Sequence, residues 1–329
     1  MTEKIRVGVV GSGFGATVLV PGWQQCAGAE VVAIASARRA RAEAVAAEAG
    51  IPYATDDYQD LLARVDLVGV ATPPMLHYPM VLAAVGAGKH VLCEKPFAAS
   101  AQEARAMTAA AEAAGVVHAV DHEFRFTPVR LHLSALLEAG YVGEPFLVRA
   151  ADLSDRVLRG RQEAWWYSRA AGGGLFGAAG SHYVDALCQW VGDVAAVATT
   201  LDTALLRHAA RPKGLPAEMS ADDTVGLLLR FANGAQGTLH LTGLAQAPHR
   251  RVELYGTGGA LVLEDDARVL GARDGAPLAE IPPARRAPPA AASPRRQLYA
   301  APDPAVRGAR RAHARAHPRR VGRRLPHVP

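Results

Sequence analysis

The chain has 329 residues, half of them hydrophobic and a fifth charged, which suits two domains with cores of their own and excludes global disorder. The net charge of +5 hides a split: residues 281–329 hold twelve Arg, no Lys and one acid, Asp303, a net +11, leaving residues 1–280 with 24 basic against 30 acidic groups. The mildly acidic body argues against a nucleic-acid-binding protein, no apolar run reaches the ~18 residues of a membrane span, and three scattered cysteines (Cys26, Cys93, Cys188) fit reduced thiols of a cytoplasmic protein, with no zinc-ligand spacing and no metal expected.

In chain order, Ile5–Val10 is a continuous apolar strand, and Gly11-Ser12-Gly13-Phe14-Gly15-Ala16 follows it. Lys4, Arg6 and this apolar stretch imitate a signal peptide, but glycines 8, 11, 13 and 15 fit a strand–turn–helix better. Val31–Ala35 is a second strand and Arg38–Ala49 a helix closed by Gly50. Asp66–Ala71 is a strand stopped by Pro73-Pro74, Tyr78–Gly86 a helix, His90–Cys93 a strand, Ala101–Ala114 a helix closed by Gly115, and Val116–Val120 the last strand of the series. Apolar strands alternating with helices predict a doubly wound parallel sheet over residues 1–123.

The pattern then changes. Val129–Ala139 reads as a helix closed by Gly140 and Phe146–Ala151 as a strand. Leu227–Phe231 and Ala235–Thr242 flank Asn233-Gly234, whose residues supply the positive φ angles of a tight turn. Val252–Tyr255 and Ala260–Leu263 make a second hairpin. Residues 124–280 are therefore expected to form an α+β domain on a mostly antiparallel sheet, with residues 207–217 as a loop. The Arg/Pro-rich segment 281–329 lacks core periodicity and is expected to be a disordered basic extension.

The turn at Gly11 matches G-x-G-x-x-(G/A) between a strand and a helix. Gly11 allows the tight turn, Gly13 lets the backbone approach a pyrophosphate, and Ala16 permits close helix–sheet packing. A dinucleotide is the expected ligand. At the end of the second strand, where an acid would bind the ribose hydroxyls of NAD, the chain reads Ser36-Ala37-Arg38-Arg39. A hydroxyl and guanidinium groups suit a 2′-phosphate, so NADP is expected over NAD, which stays possible. The alternative makes Arg38 and Arg39 solvated residues that open a helix.

Taken with Gly11–Ala16, further segments carry a family resemblance: Ala71-Thr72-Pro73-Pro74-Met75-Leu76-His77, Gly88-Lys89-His90-Val91-Leu92-Cys93-Glu94-Lys95-Pro96, Glu123-Phe124-Arg125-Phe126, Gly172-Gly173-Gly174 and Gly180-Ser181-His182-Tyr183-Val184-Asp185. Over about residues 4–265 the chain resembles the Gfo/Idh/MocA family of oxidoreductases. The resemblance implies a Rossmann domain plus an antiparallel-sheet domain with substrate between them. It implies Thr72 and Pro73 at the nicotinamide, Phe14, His77 and Glu94 on the cofactor side, Lys95 as catalytic lysine, His182 as catalytic histidine and Asp185 as a substrate-site acid. Their chemistry suits those roles: Lys95 polarises a hydroxyl oxygen, and His182 titrates in the useful range. Arg125 and the pair Trp165-Trp166 are further substrate-side candidates, with an ion-pair partner and interdomain packing as their structural alternatives.

The expected activity is hydride transfer between a nicotinamide cofactor and a hydroxyl or carbonyl of a small, sugar-like substrate. A redox-assisted lyase or glycosidase that recycles its cofactor, and a non-catalytic dinucleotide sensor, are the alternatives. A homo-oligomer, dimer or tetramer, is expected because the second sheet has an open face. Two departures from the family stand out. Ala178 occupies a position, four residues before His182, where relatives often carry Asp. The final 49 residues lack a family-like ending, which out-of-frame translation of a GC-rich gene would explain.

Overall fold

Val7, Val9 and Val10 are almost fully buried because β1 (Ile5–Val10) runs through the middle of a sheet covered on both faces. The structure, a computed structural model, describes residues 3–159, 164–204 and 219–283. Residues 1–283 form one compact unit. The expected loop at 207–217 and all but the first three residues of the 281–329 segment lie outside the described residues.

Strands β1, β2 (Ala29–Ala35), β3 (Tyr53–Thr55), β4 (Leu67–Val70), β5 (His90–Glu94) and β6 (His118–Asp121) pair in parallel in the order β3-β2-β1-β4-β5-β6. This is the doubly wound order in which the chain reverses direction across the sheet beside β1. Helices α1 (Val20–Gln24), α2 (Arg39–Ala49), α3 (Tyr58–Leu62), α4 (His77–Gly86) and α5 (Ala101–Ala114) connect the strands. Gly50 and Gly115 close α2 and α5 in the left-handed conformation, as their positions in the sequence suggested. Ser100 caps α5 by accepting from the Glu103 N–H, and Glu103 reaches back to the Ala99 N–H. Strand β3 and helix α3 were not anticipated; each is too short, at 3 and 5 residues, for periodicity to declare itself.

The second half is built on eight strands: β7 (Pro145–Leu153), β8 (Val194–Asp202), β9 (Thr224–Phe231), β10 (Gln236–Thr242), β11 (His249–Gly256), β12 (Gly259–Glu264), β13 (Arg268–Ala272) and β14 (Ala279–Glu280). Their order is β14-β13-β12-β11-β7-β10-β9-β8, and every pair is antiparallel except β7 with β10. The Asn233-Gly234 hairpin is present, but its loop has three residues. The Phe231 N–H bonds the Ala235 carbonyl, and Gly234 alone has positive φ, at 90°. Asn233 instead uses its side chain, accepting from the Ala235 N–H and donating to the Val191 carbonyl. A three-residue loop needs one left-handed residue where a two-residue turn needs two.

Helices α6 (Pro128–Glu138) and α7 (Ser181–Trp190) cover one face of this sheet. Tyr183, Ala186, Leu187 and Trp190 recur at helical spacing on the buried side of α7. They pack with Leu133 and with Leu227, Leu239 and Leu254 of the strands, and the Trp190 indole N–H donates to Ser134. This face fixes the roll of α7 and so where its other side chains point. Ile281 still packs against this core, and its carbonyl meets the His132 ring at 2.9 Å. Leu187→Ala would remove a side chain with no exposed surface. It is expected to lower unfolding free energy by about 2–5 kcal/mol in urea titrations.

Candidate active site

Five chain segments leave the carboxyl edge of the parallel sheet together: Gly11–Phe14 after β1, Ser36 after β2, Ala71–Pro73 after β4, Lys95 after β5 and His122–Glu123 after β6. In doubly wound sheets this edge, near the point of strand reversal, is where ligands bind. A cavity of about 580 Å³ lies there. Its wall includes nine of the residues singled out in the sequence: Gly11, Gly13, Phe14, Ser36, Thr72, Pro73, Glu94, Lys95 and Trp165. Trp166, paired with Trp165 as a cleft candidate in the sequence, also lines it, as do Asp56 and Ala178, which were given no ligand role.

Gly11 has φ of 121°, and a Cβ on it would sit 2.2 Å from the Ala71 carbonyl oxygen. Only glycine lets β1 turn this close to β4. Helix and sheet also come close at Gly15, whose added Cβ would meet Val9 at 2.8 Å, with Ala16 packed half-buried beside it. The first turn of this helix is a wide π-type turn, Gly15–Leu19, in which the Val20 N–H reaches the Gly15 carbonyl. Pro21, lacking an N–H, follows directly in α1. At the far end of the cavity the Ser12 and Ser36 hydroxyls are 2.8 Å apart. Arg38 caps α2 outside the cavity wall, and Arg39 is held by Glu43 at 3.0 Å and Asp56 at 3.8 Å.

His77 does not line the cavity. Its buried ring stands 2.8 Å from the Thr72 carbonyl through Nε2, and 3.0 and 3.2 Å from those of Pro96 and Phe97 through Nδ1. It ties the Thr72-Pro73 turn to the Lys95-Pro96 turn, a structural duty behind the ligand surface. Between these turns, Glu94 is buried. Its Oε2 accepts from the Lys95 N–H at 3.2 Å, and its Oε1 has no partner. Burial, followed by a hydrogen bond and charge repulsion from Asp121, pushes the Glu94 carboxyl up to about 9. A buried acceptor at the nicotinamide end of a glycine-turn cavity fits a ribose hydroxyl or an amide donor, so these residues suit a nicotinamide dinucleotide.

The other candidates lie behind Lys95. Arg125 forks onto Asp185: Nε donates to Oδ2 at 2.8 Å and the terminal nitrogen bonds Oδ1. His122 Nδ1 is 3.5 Å from the same carboxylate. The two residues expected separately at the substrate thus form one ion pair. His182 is fully buried, stacked on Phe124 with ring centroids 3.9 Å apart, and neither ring nitrogen has a hydrogen-bond partner. Burial and the positive charges of Lys95, Arg130 and Arg156 hold it down near 2, so the ring is neutral. Trp165 and Trp166 line the cavity side by side, and Gly173 makes room for them: its Cβ would lie 2.2 Å from the Trp165 carbonyl. Among the described residues no cluster of three or more His, Cys, Asp or Glu is placed to hold a metal ion.

Glu94 sets a pH dependence with a definite sign. Its folded value lies above the ordinary glutamate value of 4.5, so the folded state holds this proton more tightly than the unfolded chain does. The associated stability is fully present below pH 4.5 and is lost as pH rises towards about 9. Urea midpoints of the ligand-free protein should fall over that interval, and Glu94→Gln should flatten the slope.

The residues 5–122 match the model of the oxidoreductase family with an NAD-binding Rossmann fold, and residues 131–262 match the GFO/IDH/MocA C-terminal domain. An uncharacterized oxidoreductase of Synechocystis is 33% identical over 80% of this chain and 73% of its own length. The levoglucosan dehydrogenase of Pseudarthrobacter phenanthrenivorans is 29% identical over 81% of this chain and 75% of its own. A solved levoglucosan dehydrogenase in complex with NADH and L-sorbose superimposes with a TM-score of 0.76 at 29% identity, covering 85% of this chain and 80% of that one. With both halves matched and the glycine turn and Lys95 lining one cleft, this chain belongs to the Gfo/Idh/MocA family of oxidoreductases.

Proposed function

We propose that this protein transfers hydride between a nicotinamide cofactor and a hydroxyl or carbonyl carbon of a small sugar-like substrate. The observation that carries the reading is that Lys95 stands in the wall of the same cavity as the Gly11–Phe14 turn. The relatives named levoglucosan dehydrogenase, one of them holding NADH and L-sorbose, support the substrate class.

The Gly11–Phe14 turn, Ser36, Thr72-Pro73 and Glu94 are the residues that would hold the cofactor, which when bound supplies the hydride donor or acceptor. Lys95 donates a hydrogen bond to the reacting oxygen and stabilises charge developing on it. The indoles of Trp165 and Trp166 offer flat apolar surface against a sugar ring and exclude water from the reacting carbon. Arg125 and Asp185 act as a fixed pair that shapes the substrate side.

For the cofactor, NADP is the preferred form. Ser36 lines the adenosine end, Arg38 opens α2 next to it, and Arg39 offsets the charge of Asp56. The face of the second sheet turned away from α6 and α7 carries the exposed Leu228, which supports a homo-oligomer paired through this face. No helix of the described residues is long and apolar enough to cross a membrane.

Two measurements test this reading. Lys95→Met should reduce turnover of levoglucosan or L-sorbose by at least about 100-fold while cofactor affinity by fluorescence titration stays near wild type. Arg38→Ala should weaken NADPH binding by roughly tenfold, the size of one charge-assisted hydrogen bond, and leave NADH unchanged.

A further inference from the structure

The cavity has two unlike sides. Thr72, Glu94 and Lys95 line it with a hydroxyl, a carboxyl and an amine, and all three belong to the first half of the chain. Among the described residues, those that the second half lends to its wall are Trp165, Trp166 and Ala178, two indoles and a methyl. These three border the nicotinamide end. A Cβ on Gly172 would meet Pro74 at 2.7 Å, and one on Gly177 would meet Pro96 at 2.9 Å. The segment therefore rests on the turns that hold Thr72-Pro73 and Lys95. Ala178 follows Gly177 directly, and Gly173 lies under the carbonyls of Trp165 and Trp166. The Ser12 and Ser36 hydroxyls mark the opposite end.

The indoles are tilted by 44° with ring centroids 5.7 Å apart, which makes a corner and not a flat platform. Trp166 is backed by Val157, Tyr167 and Met219, a small apolar cluster apart from the main core. The backbone holds the corner in place. The Phe176 N–H donates to the Asp222 carboxylate at 2.7 Å and the Leu175 N–H to the Asp222 carbonyl at 2.8 Å. The Gly174 N–H donates to the Trp166 carbonyl at 3.0 Å, and the Ala178 N–H to the Gly174 carbonyl at 3.1 Å. None of these bonds uses the Ala178 side chain, so the residue type at 178 sets what the wall presents without setting where it stands. A substrate hydroxyl pressed against a methyl or an indole face gives up its water partner and gains none. A flank of C–H groups gives up nothing there and gains apolar and aromatic contact.

We propose that Ala178 is a specificity-determining residue of this site. With Trp165 and Trp166 it selects a ring alcohol that has a hydroxyl-free flank, a cyclic diol or a deoxy sugar, over a ring hydroxylated at every carbon. This rests on the reading of the cavity as a hydride-transfer site. The reacting hydroxyl lies on the polar side, at Lys95, and the flank without hydroxyls lies in the corner. An acid at 178 would add an acceptor to that wall and turn the selection towards the more hydroxylated ring.

The test compares trans-1,2-cyclohexanediol with myo-inositol, two six-carbon rings that differ by four hydroxyls, in wild type, Ala178→Ser and Ala178→Asp. Oxidation is followed with NAD and with NADP, and binding to the NADH-loaded protein by calorimetry. In wild type, kcat/KM for the diol should exceed that for myo-inositol by about tenfold or more. Ala178→Ser should lower this ratio by roughly threefold and Ala178→Asp by roughly tenfold or more. Each ratio is taken within one preparation, so a loss of folded protein cancels from it. A wild-type ratio of about one or below, or a ratio that stays within about threefold of wild type in Ala178→Asp, overturns the proposal. Binding separates this from failure of the hydride-transfer reading. If neither ring is oxidised, yet the diol binds about tenfold tighter than myo-inositol and Ala178→Asp erases the difference, the hydride-transfer reading fails and the selective corner stands. If myo-inositol is oxidised in preference to the diol, hydride transfer stands and the corner is overturned. Binding of neither ring also overturns it.

Discussion

The fork between Arg125 and Asp185 is the contact on which the substrate side of the site depends. Arg125 belongs to the turn that leaves the parallel sheet after β6, and Asp185 to the helix that packs on the second sheet. A guanidinium and a carboxylate meeting through two parallel hydrogen bonds fix direction as well as distance. With side chains less than a fifth exposed, the pair is screened less than a surface ion pair. Its geometry sets the turn His122–Phe126 against α7, and so presses Phe124 onto His182 and brings Glu123 to the imidazole.

A second set of ties holds the cofactor side. His77 meets carbonyls on both sides of the cavity wall, Thr72 on one turn and Pro96 and Phe97 on the other. Gly11 brings β1 and β4 so close that no side chain fits between them, and Gly177 lets the π-type turn before α7 approach Pro96. The cavity walls are thus fixed from behind by groups that never face the ligand. Such preorganisation is what allows polar groups to act at a reacting atom without first reorienting.

The charge pattern of the cleft follows from burial. Glu94 and Glu123 are pushed up while His77, His122 and His182 are pushed down, so this region holds few net charges besides those of Lys95 and the Arg125–Asp185 pair. A neutral Glu94 carboxyl and neutral imidazoles are hydrogen-bonding groups of either sense, suited to polar hydroxylated ligands. Desolvation raises Glu123 above the usual carboxylate range, and the nearby charge of Lys95 opposes it.

Much of this was legible in the residues. Continuous valine-rich runs marked β1, β4 and β5, glycines 50 and 115 marked helix ends, and the Gly11 turn marked the cofactor side, because these signals are local and a few residues suffice to state them. Sequence resemblance marked Lys95 and His182. Pairing was not legible. Arg125 and Asp185 stood as separate candidates and Glu123 went unassigned, because partners 60 residues apart in the chain meet only when two separate layers pack. The order of the second sheet, with β7 inserted in parallel beside β10 across a separation of nearly ninety residues, has the same origin. The sequence by itself determined the strands, the tight turns and the chemical types present. The tertiary structure alone decided which charges neutralise each other, which histidine became a brace, and which carboxyl was buried beside His182, since burial and non-local contact are properties of the packed layers.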